Sequence, residues 1–132
     1  MKVLLDTDTC IHALKRNASV LDRLLSRSRA DIAVSVITEA ELRTGAAKSS
    51  SPVKTSHLLE NFLRPLAVVE FTSADATTYA QLRAKLERAG TPIGPLDTLI
   101  AAQAISRKLV LVTNNEREFG RVPGLRLENW SR

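Results

Sequence analysis

Short apolar runs recur along this 132-residue chain with amphipathic, helix-length segments between them, and that alternation limits the possible folds more than any other feature. Lys2 to Asp6, Asp31 to Ser35, Ala67 to Phe71, Leu109 to Val112 and Leu125 to Leu127 read as strands. Between them, helical spacing is carried by Ile11 and Leu14 in a helix from about Thr9 to Arg16, and by Val20, Leu21, Leu24 and Leu25 in the next. Ser35 is a suitable N-cap for a helix through Ile37, Ala40, Glu41 and Leu42 that Gly45 weakens or ends. Leu58, Leu59, Phe62 and Leu63 mark a helix stopped before Pro65. Ser73 caps one through Tyr79, Leu82 and Leu86 that ends at Gly90, and Asp97 opens one through Ala102. Strands alternating with helices pack as a mainly parallel central sheet with helices on its faces, an α/β/α sandwich of the Rossmann-like kind. The Ser49-Ser50-Ser51-Pro52 turn is too brief to divide domains, so residues 1–132 form a single one.

A chain of this length buries roughly two-thirds of the surface it exposes when unfolded. At 44% hydrophobic and 25% charged it is a globular sequence rather than a disordered one. No stretch approaches the roughly 20 apolar residues of a membrane helix. Val3-Leu4-Leu5 is far too short for a secretory signal, so a cytoplasmic location is expected. Cys10 is the only cysteine, which excludes an intrachain disulfide and a sulfur-based zinc cluster. His12 and His57 have no ligand-like spacing. The net charge of +5 suits a polyanionic partner, or simply solubility.

Four acids stand where apolar runs meet polar turns or helices. Asp6 closes the first run, Glu41 lies in the helix after Ser35, Asp97 follows Gly94-Pro95-Leu96, and Glu118 lies beyond Leu109 to Val112. Strand C-termini of an open α/β sheet line one crevice, so residues distant in sequence can meet there. An oxygen-only ligand set favours Mg²⁺ or Mn²⁺. Each acid also has a purely structural alternative. Asp6 can end its strand as an Asx turn, Asp97 can start its helix, Thr38 and Glu41 can form a capping box, and Glu118 can be a solvated neighbour of Arg117. Thr113, Asn114 and Asn115 are placed to orient a carboxylate or a water, or else to form a turn.

These contexts resemble the PIN-domain ribonucleases, and within them the VapC toxins of toxin–antitoxin pairs. The segments concerned are Leu4-Leu5-Asp6-Thr7, Ser35 through Glu41-Leu42 to Gly45, Gly90 to Asp97 with Ile100-Ala101-Ala102, Val112-Thr113-Asn114-Asn115-Glu116-Arg117-Glu118-Phe119, and the tail Arg121 to Trp130. The ordered combination carries the resemblance. It implies that Asp6, Glu41, Asp97 and Glu118 hold one or two divalent ions, with Asp6 and Asp97 the most direct ligands. Asp8 departs from the pattern, because relatives usually carry Asn there. An extra carboxylate at that position adds negative charge or an outer-shell ligand.

The implied activity is endonucleolytic hydrolysis of RNA by metal-activated water, with tRNA, and in particular the anticodon loop of initiator tRNA, as the implied target. Arg43, Arg83, Lys85, Arg88, Arg117 and Arg121 are candidate phosphate contacts, at least half of them ordinary solvated charges. With only five aromatics, base stacking is unsupported, so recognition by RNA shape and backbone is expected. The resemblance further implies a small VapB-type antitoxin docked on apolar positions around Ile11, Leu14, Leu42 and Leu58 to Leu63, a homodimer, and DNA contact only through the antitoxin. Two rivals are a phosphatase of the haloacid dehalogenase type, suggested by the Asp6-Thr7-Asp8 pair, and an inactive PIN-like module that only binds RNA or protein.

Overall fold

In the computed structural model, which describes residues Met1–Arg132, the apolar runs form five strands: β1 (Val3–Leu5), β2 (Ile32–Ser35), β3 (Ala67–Val69), β4 (Val110–Val112) and β5 (Leu127–Glu128). Their order is β3-β2-β1-β4-β5, and every pairing is parallel. Seven helices connect them: α1 (Thr7–Leu14), α2 (Ala18–Leu25), α3 (Val36–Ala47), α4 (Pro52–Leu63), α5 (Ser73–Arg88), α6 (Pro95–Ser106) and α7 (Glu116–Phe119). Side chains alternate across a strand, so β1 serves two cores. Val3 and Leu5 join Ile32, Val34, Leu42, Leu59 and Trp130 on one face, while Leu4 joins Ala33, Leu82, Ile100, Leu111 and Phe119 on the other. No helix is long and apolar enough to cross a membrane.

The chain leaves β1 in one direction through β2 and β3, then returns to its other side with β4. The direction of winding therefore reverses between β1 and β4, whose ends are in register at Leu5 and Val112. That reversal opens a crevice at the carboxyl ends of the two central strands.

Several element ends differ from the sequence reading, each for a visible reason. Helix α1 begins at Thr7 rather than near Thr9, because the Asp6 side chain accepts the Thr9 amide and caps it. Gly45 does not end α3, which runs to Ala47. A side chain there would meet nothing within 4 Å, so the glycine leaves open space beside Leu42 and Ala46. Thr72, not Ser73, caps α5 through a reciprocal box with Asp75. Strand β3 stops at Val69, where the carbonyls of Val69 and Glu70 accept from the Gln103 side chain. The last strand falls two residues later than expected, after a turn at Gly124 with φ of 79°. Asp75 is buried against Arg107 at 3.3 Å, which ties α5 to α6. Although burial opposes it, hydrogen bonds from Thr72 and Ser106 and the Arg107 charge hold the Asp75 carboxyl below its ordinary range.

Candidate active site

Asp6 is the first residue past β1 and is only 3% exposed. Its amide donates to the Val112 carbonyl at 3.0 Å, so the end of β1 is tied to the end of β4. Its carboxylate accepts the Thr9 amide at 2.8 Å, and the Thr9 hydroxyl donates to Val112 at 3.0 Å. Burial raises the Asp6 carboxyl above its ordinary value; hydrogen bonds from Thr113 and Thr9 oppose the rise, and the charge of Asp8 adds slightly to it. The capping alternative for Asp6 is thus real, but the cap occupies only one of its two oxygens, Oδ1.

Glu41 reaches the same crevice from α3. Ser35 caps that helix by accepting the Ile37 amide, which places Thr38 inside it and removes the Thr38–Glu41 capping box. Glu41 instead accepts the Thr7 hydroxyl at 2.6 Å. Thr38 Oγ1 stands 3.2 Å from Thr7 Oγ1. Because Thr7 has one hydroxyl hydrogen, directed to Glu41, Thr38 is the donor in that second contact.

Glu118 lies in α7, the short helix that follows the polar turn Thr113-Asn114-Asn115. Its Oε1 accepts the Gly94 amide at 2.8 Å and its Oε2 accepts the Asn115 side-chain amide at 2.7 Å. It is not a solvated partner of Arg117. Gly94 also precedes α6, where Asp97 occupies the third position. A β-carbon at Gly94 would lie 3.6 Å from Glu118 Oε1 and 3.7 Å from Asp97 Oδ2, so both carboxylates border one small volume.

Asp97 shows the combined effect of this arrangement. Burial first, then the charge and hydrogen-bonding contact of Glu118, then the charges of Glu41 and Asp6, push its carboxyl up to about 7. The N-terminal end of a helix ordinarily favours a charged carboxylate. Here desolvation and three neighbouring acids outweigh it. All four acids therefore meet electrically at one edge of the sheet. They do not form a closed cage: no three acidic, histidine or cysteine side chains stand in metal-ligating geometry. Glu41 and Glu118 are each held by protein donors, and like charges resist closer approach. The donor set is all oxygen and its anionic charge is not neutralised by any ion pair, which is the chemistry a hard divalent cation fits.

The other candidates divide. Thr113 is fully buried, contacts Asp6 and accepts the Asn115 amide at 2.9 Å, so Thr113 and Asn115 position the carboxylates. Asn114 is exposed and lies 3.4 Å from His12. Asp8 is exposed on α1, with only a weak field at Asp6. Among the cationic candidates, Arg43 is bound by Glu39 and Glu60, Arg83 by Glu87, and Arg121 donates to the Pro92 carbonyl. Lys85, Arg88 and Arg117 have no ion-pair partner, and Arg117 is exposed beside Glu118.

Sequence reasoning missed Thr7 and Gly94 as site residues. The signal available for Thr7 was its position directly after a strand-end aspartate, at the first turn of a helix. Replacing Thr7 by valine is expected to free Glu41 and lower activity by about 10–100-fold, the range for losing an outer-shell partner. Serine at the same position should restore most of the loss. Equal activity of the valine and wild-type proteins across a divalent-cation titration would show that the hydroxyl does not position Glu41.

A family model for the PIN domain matches residues 3–125. The chain is 42% identical over 130 residues to a Salmonella typhimurium protein named tRNA(fMet)-specific endonuclease VapC, covering 98% of each chain. It is 40% identical over 131 residues to a Shigella flexneri protein of the same name, covering 99% of each. Among solved structures, DNA-bound VapBC from Salmonella typhimurium superposes with a TM-score of 0.95 at 42% identity, over 98% of each chain. VapBC2 from Rickettsia felis, bound to a promoter DNA fragment, does so with a TM-score of 0.93 at 38% identity, over 98% of this chain and 99% of that one. With its acids at the crevice between β1 and β4 and these relatives matched along nearly its whole length, the chain belongs to the PIN-domain family, in its VapC branch.

Proposed function

We propose that this protein is an Mg²⁺- or Mn²⁺-dependent endoribonuclease toxin that cleaves tRNA, with the anticodon loop of initiator tRNA as its target, and that a VapB-type antitoxin neutralises it. The observation that carries the reading is the Asp97 carboxyl, raised to about 7 by burial and by three other acids at the same crevice. Such a site is costly until a cation enters. The tRNA(fMet)-specific endonuclease names of the Salmonella and Shigella relatives support the substrate.

Asp6 and Asp97 would hold the cation directly, and Glu41 and Glu118 would complete or second its ligand set. A bound divalent ion lowers the pKa of water and stabilises a leaving phosphate oxygen. The chain's own contribution is to aim and desolvate the carboxylates. Thr7 holds Glu41, the Gly94 amide and Asn115 hold Glu118, and Thr9 with Thr113 hold Asp6. Arg117, exposed beside Glu118 and without an ion-pair partner, would meet a phosphate of the substrate. Membership of the PIN family and the outward position of Asp8 both weigh against the phosphatase reading.

Incubation of the protein with tRNA should give discrete fragments with Mg²⁺ or Mn²⁺ and none with chelator. Tight binding without fragments under any divalent ion would instead make the protein a binding module.

An apolar groove of about 320 Å³ between α1, α3 and α4, lined by Ile11, Leu14, Leu42, Leu58 and Leu59, supports the antitoxin reading. Leu58 is 54% exposed there, more than a packed core leucine would be. An amphipathic helix fits such a groove. Leu58→Asp is expected to weaken antitoxin binding by about tenfold or more, the scale of 1.4 kcal/mol per decade, with tRNA cleavage unchanged. Undiminished neutralisation of that variant would place the antitoxin elsewhere. The homodimer of the family, and DNA contact made only by the antitoxin, complete the proposed assembly.

A further inference from the structure

Because the sheet is wholly parallel, the acids occupy one edge and the residues that lead into the strands occupy the opposite edge. Lys2 precedes β1, Lys108 leads into β4 and Arg126 precedes β5, and these three strands are neighbours. Adjacent strands lie about 4.8 Å apart, so the three side chains start from a row on the order of 10 Å long. Their backbones are fixed. The Lys2 carbonyl accepts the Val110 amide at 3.0 Å, and the Arg126 carbonyl accepts the Leu111 amide at 2.9 Å.

The row borders two adjoining depressions. One of about 310 Å³ is lined by Lys2, Arg27, Lys108, Arg126 and Glu128, and another of about 210 Å³ shares Lys108 and Arg126. Glu128, the carboxylate lining the larger one, is taken by Arg27 at 3.1 Å and by the Trp130 indole at 2.9 Å, and Asp31, whose carbonyl accepts the Lys2 amide at 2.8 Å, stands on the β2 side of the row. Lys2, Lys108 and Arg126 are all exposed and none has an ion-pair partner. Lys108 also adopts a φ of 57°, a left-handed conformation that disfavours a residue with a side chain. Its carbonyl accepts from Arg126 at 3.3 Å, which draws the two cationic residues together. A cation at the end of α6 suits the helix dipole, but that accounts for Lys108 alone and not for its neighbours.

Resting on the RNA-cleaving reading above, we propose that this edge is a second contact surface for the tRNA substrate, one that grips its phosphate backbone without reading bases. Point charges on lysine and arginine, with no exposed ring among them, match a backbone contact. The surface lies on the far side of the sheet from the acidic crevice, so it neither uses nor requires the cleavage chemistry.

The test is the triple charge reversal Lys2→Glu, Lys108→Glu, Arg126→Glu in the full chain, set against a control reversal of three exposed, unpaired cations elsewhere, Arg23→Glu, Lys48→Glu, Lys54→Glu. The control equalises net charge. Affinity for an unmodified tRNA and for a random-sequence DNA duplex is measured by fluorescence anisotropy across a salt series, with chelator present so that nothing is cut. The edge variant should lose at least about tenfold in affinity at low salt and about two to three units of slope in log K against log salt, as expected for three lost phosphate contacts. Metal-dependent cleavage of a short oligonucleotide should be unchanged. Loss toward tRNA, with or without a parallel loss toward duplex, supports a backbone contact with the substrate, whereas loss toward duplex alone would overturn it, because DNA contact is assigned to the antitoxin. Unchanged slopes, an equal loss in the control variant, or no measurable binding by the wild-type protein would overturn the proposal. Should the triple variant fail to fold, Lys108→Glu alone should reduce the slope by about one unit, and its failure to do so is equally decisive.

Discussion

Replacing Asp6 by asparagine is expected to lower tRNA cleavage by more than about 100-fold, beyond the range for outer-shell partners, while the protein melts no earlier than the wild type. Asparagine is chosen for a physical reason. Asp6 both caps α1, through the Thr9 amide at 2.8 Å, and faces the other acids. Asparagine is as good an N-cap as aspartate, whereas alanine would also remove a cap worth about 1 kcal/mol. The amide keeps the helix and discards the negative charge, so a loss of activity reports on the charge. Relief of a buried carboxylate should, if anything, raise the melting temperature. Single-turnover cleavage with Mg²⁺, alongside thermal melting by circular dichroism, separates the two effects. Full activity in the folded variant would remove Asp6 from the site.

Asp97→Asn should inactivate the protein as well, and it carries a signature in pH that Asp6→Asn lacks. The Asp97 carboxyl titrates near 7 in the folded protein against an ordinary 3.8 when unfolded. Its folded value is raised, so its contribution to stability is fully present below about pH 4 and is lost as pH rises through 7. Above 7 the charged, half-buried group sits beside Glu118, Glu41 and Asp6. The asparagine variant should therefore be more stable than the wild type at pH 8 by on the order of 1 kcal/mol, after discounting for partial exposure. That corresponds to roughly 3–5 °C in melting temperature, and the difference should vanish toward pH 4. A divalent cation should relieve the same repulsion in the wild type. At about 100 times its dissociation constant it would add about 2.7 kcal/mol, and the variant should lose most of that gain. Because a proton must leave Asp97 for the cation to be held, the affinity should rise with pH across the same interval. A stability difference independent of pH, or an equal cation response in both proteins, would contradict the placement of Asp97 among the other three acids.

The relation between pattern and structure differs from element to element. Val3-Leu4-Leu5 and Ile32-Ala33-Val34 were legible as strands because apolar runs of that length, buried on both faces, need no partner to be recognised. Asp6 was legible as the residue that ends one. Glu41 and Glu118 were legible only as acids near a strand end or helix. Their orientation depends on Thr7, on the Gly94 amide and on Asn115, and two of those three lie in other elements. Gly45, read as weakening or ending its helix, does not end it, because packing of Leu42 and Ala46 carries α3 through the glycine. The capping box at Thr38 failed for a similar reason. Ser35, at the strand end, had already taken the cap.

By itself the sequence determined that strands and helices alternate and that an acid or a polar group follows the central strands, because those are short-range consequences of hydrophobic period and turn chemistry. Only the tertiary structure decided that β1 lies between β2 and β4, since strand order rests on contacts between segments up to about a hundred residues apart that no local pattern encodes. That order brings Asp6 and Thr113 to one crevice, lets Glu118 reach Gly94, raises Asp97 to about 7, and sends Lys2, Lys108 and Arg126 together to the opposite edge.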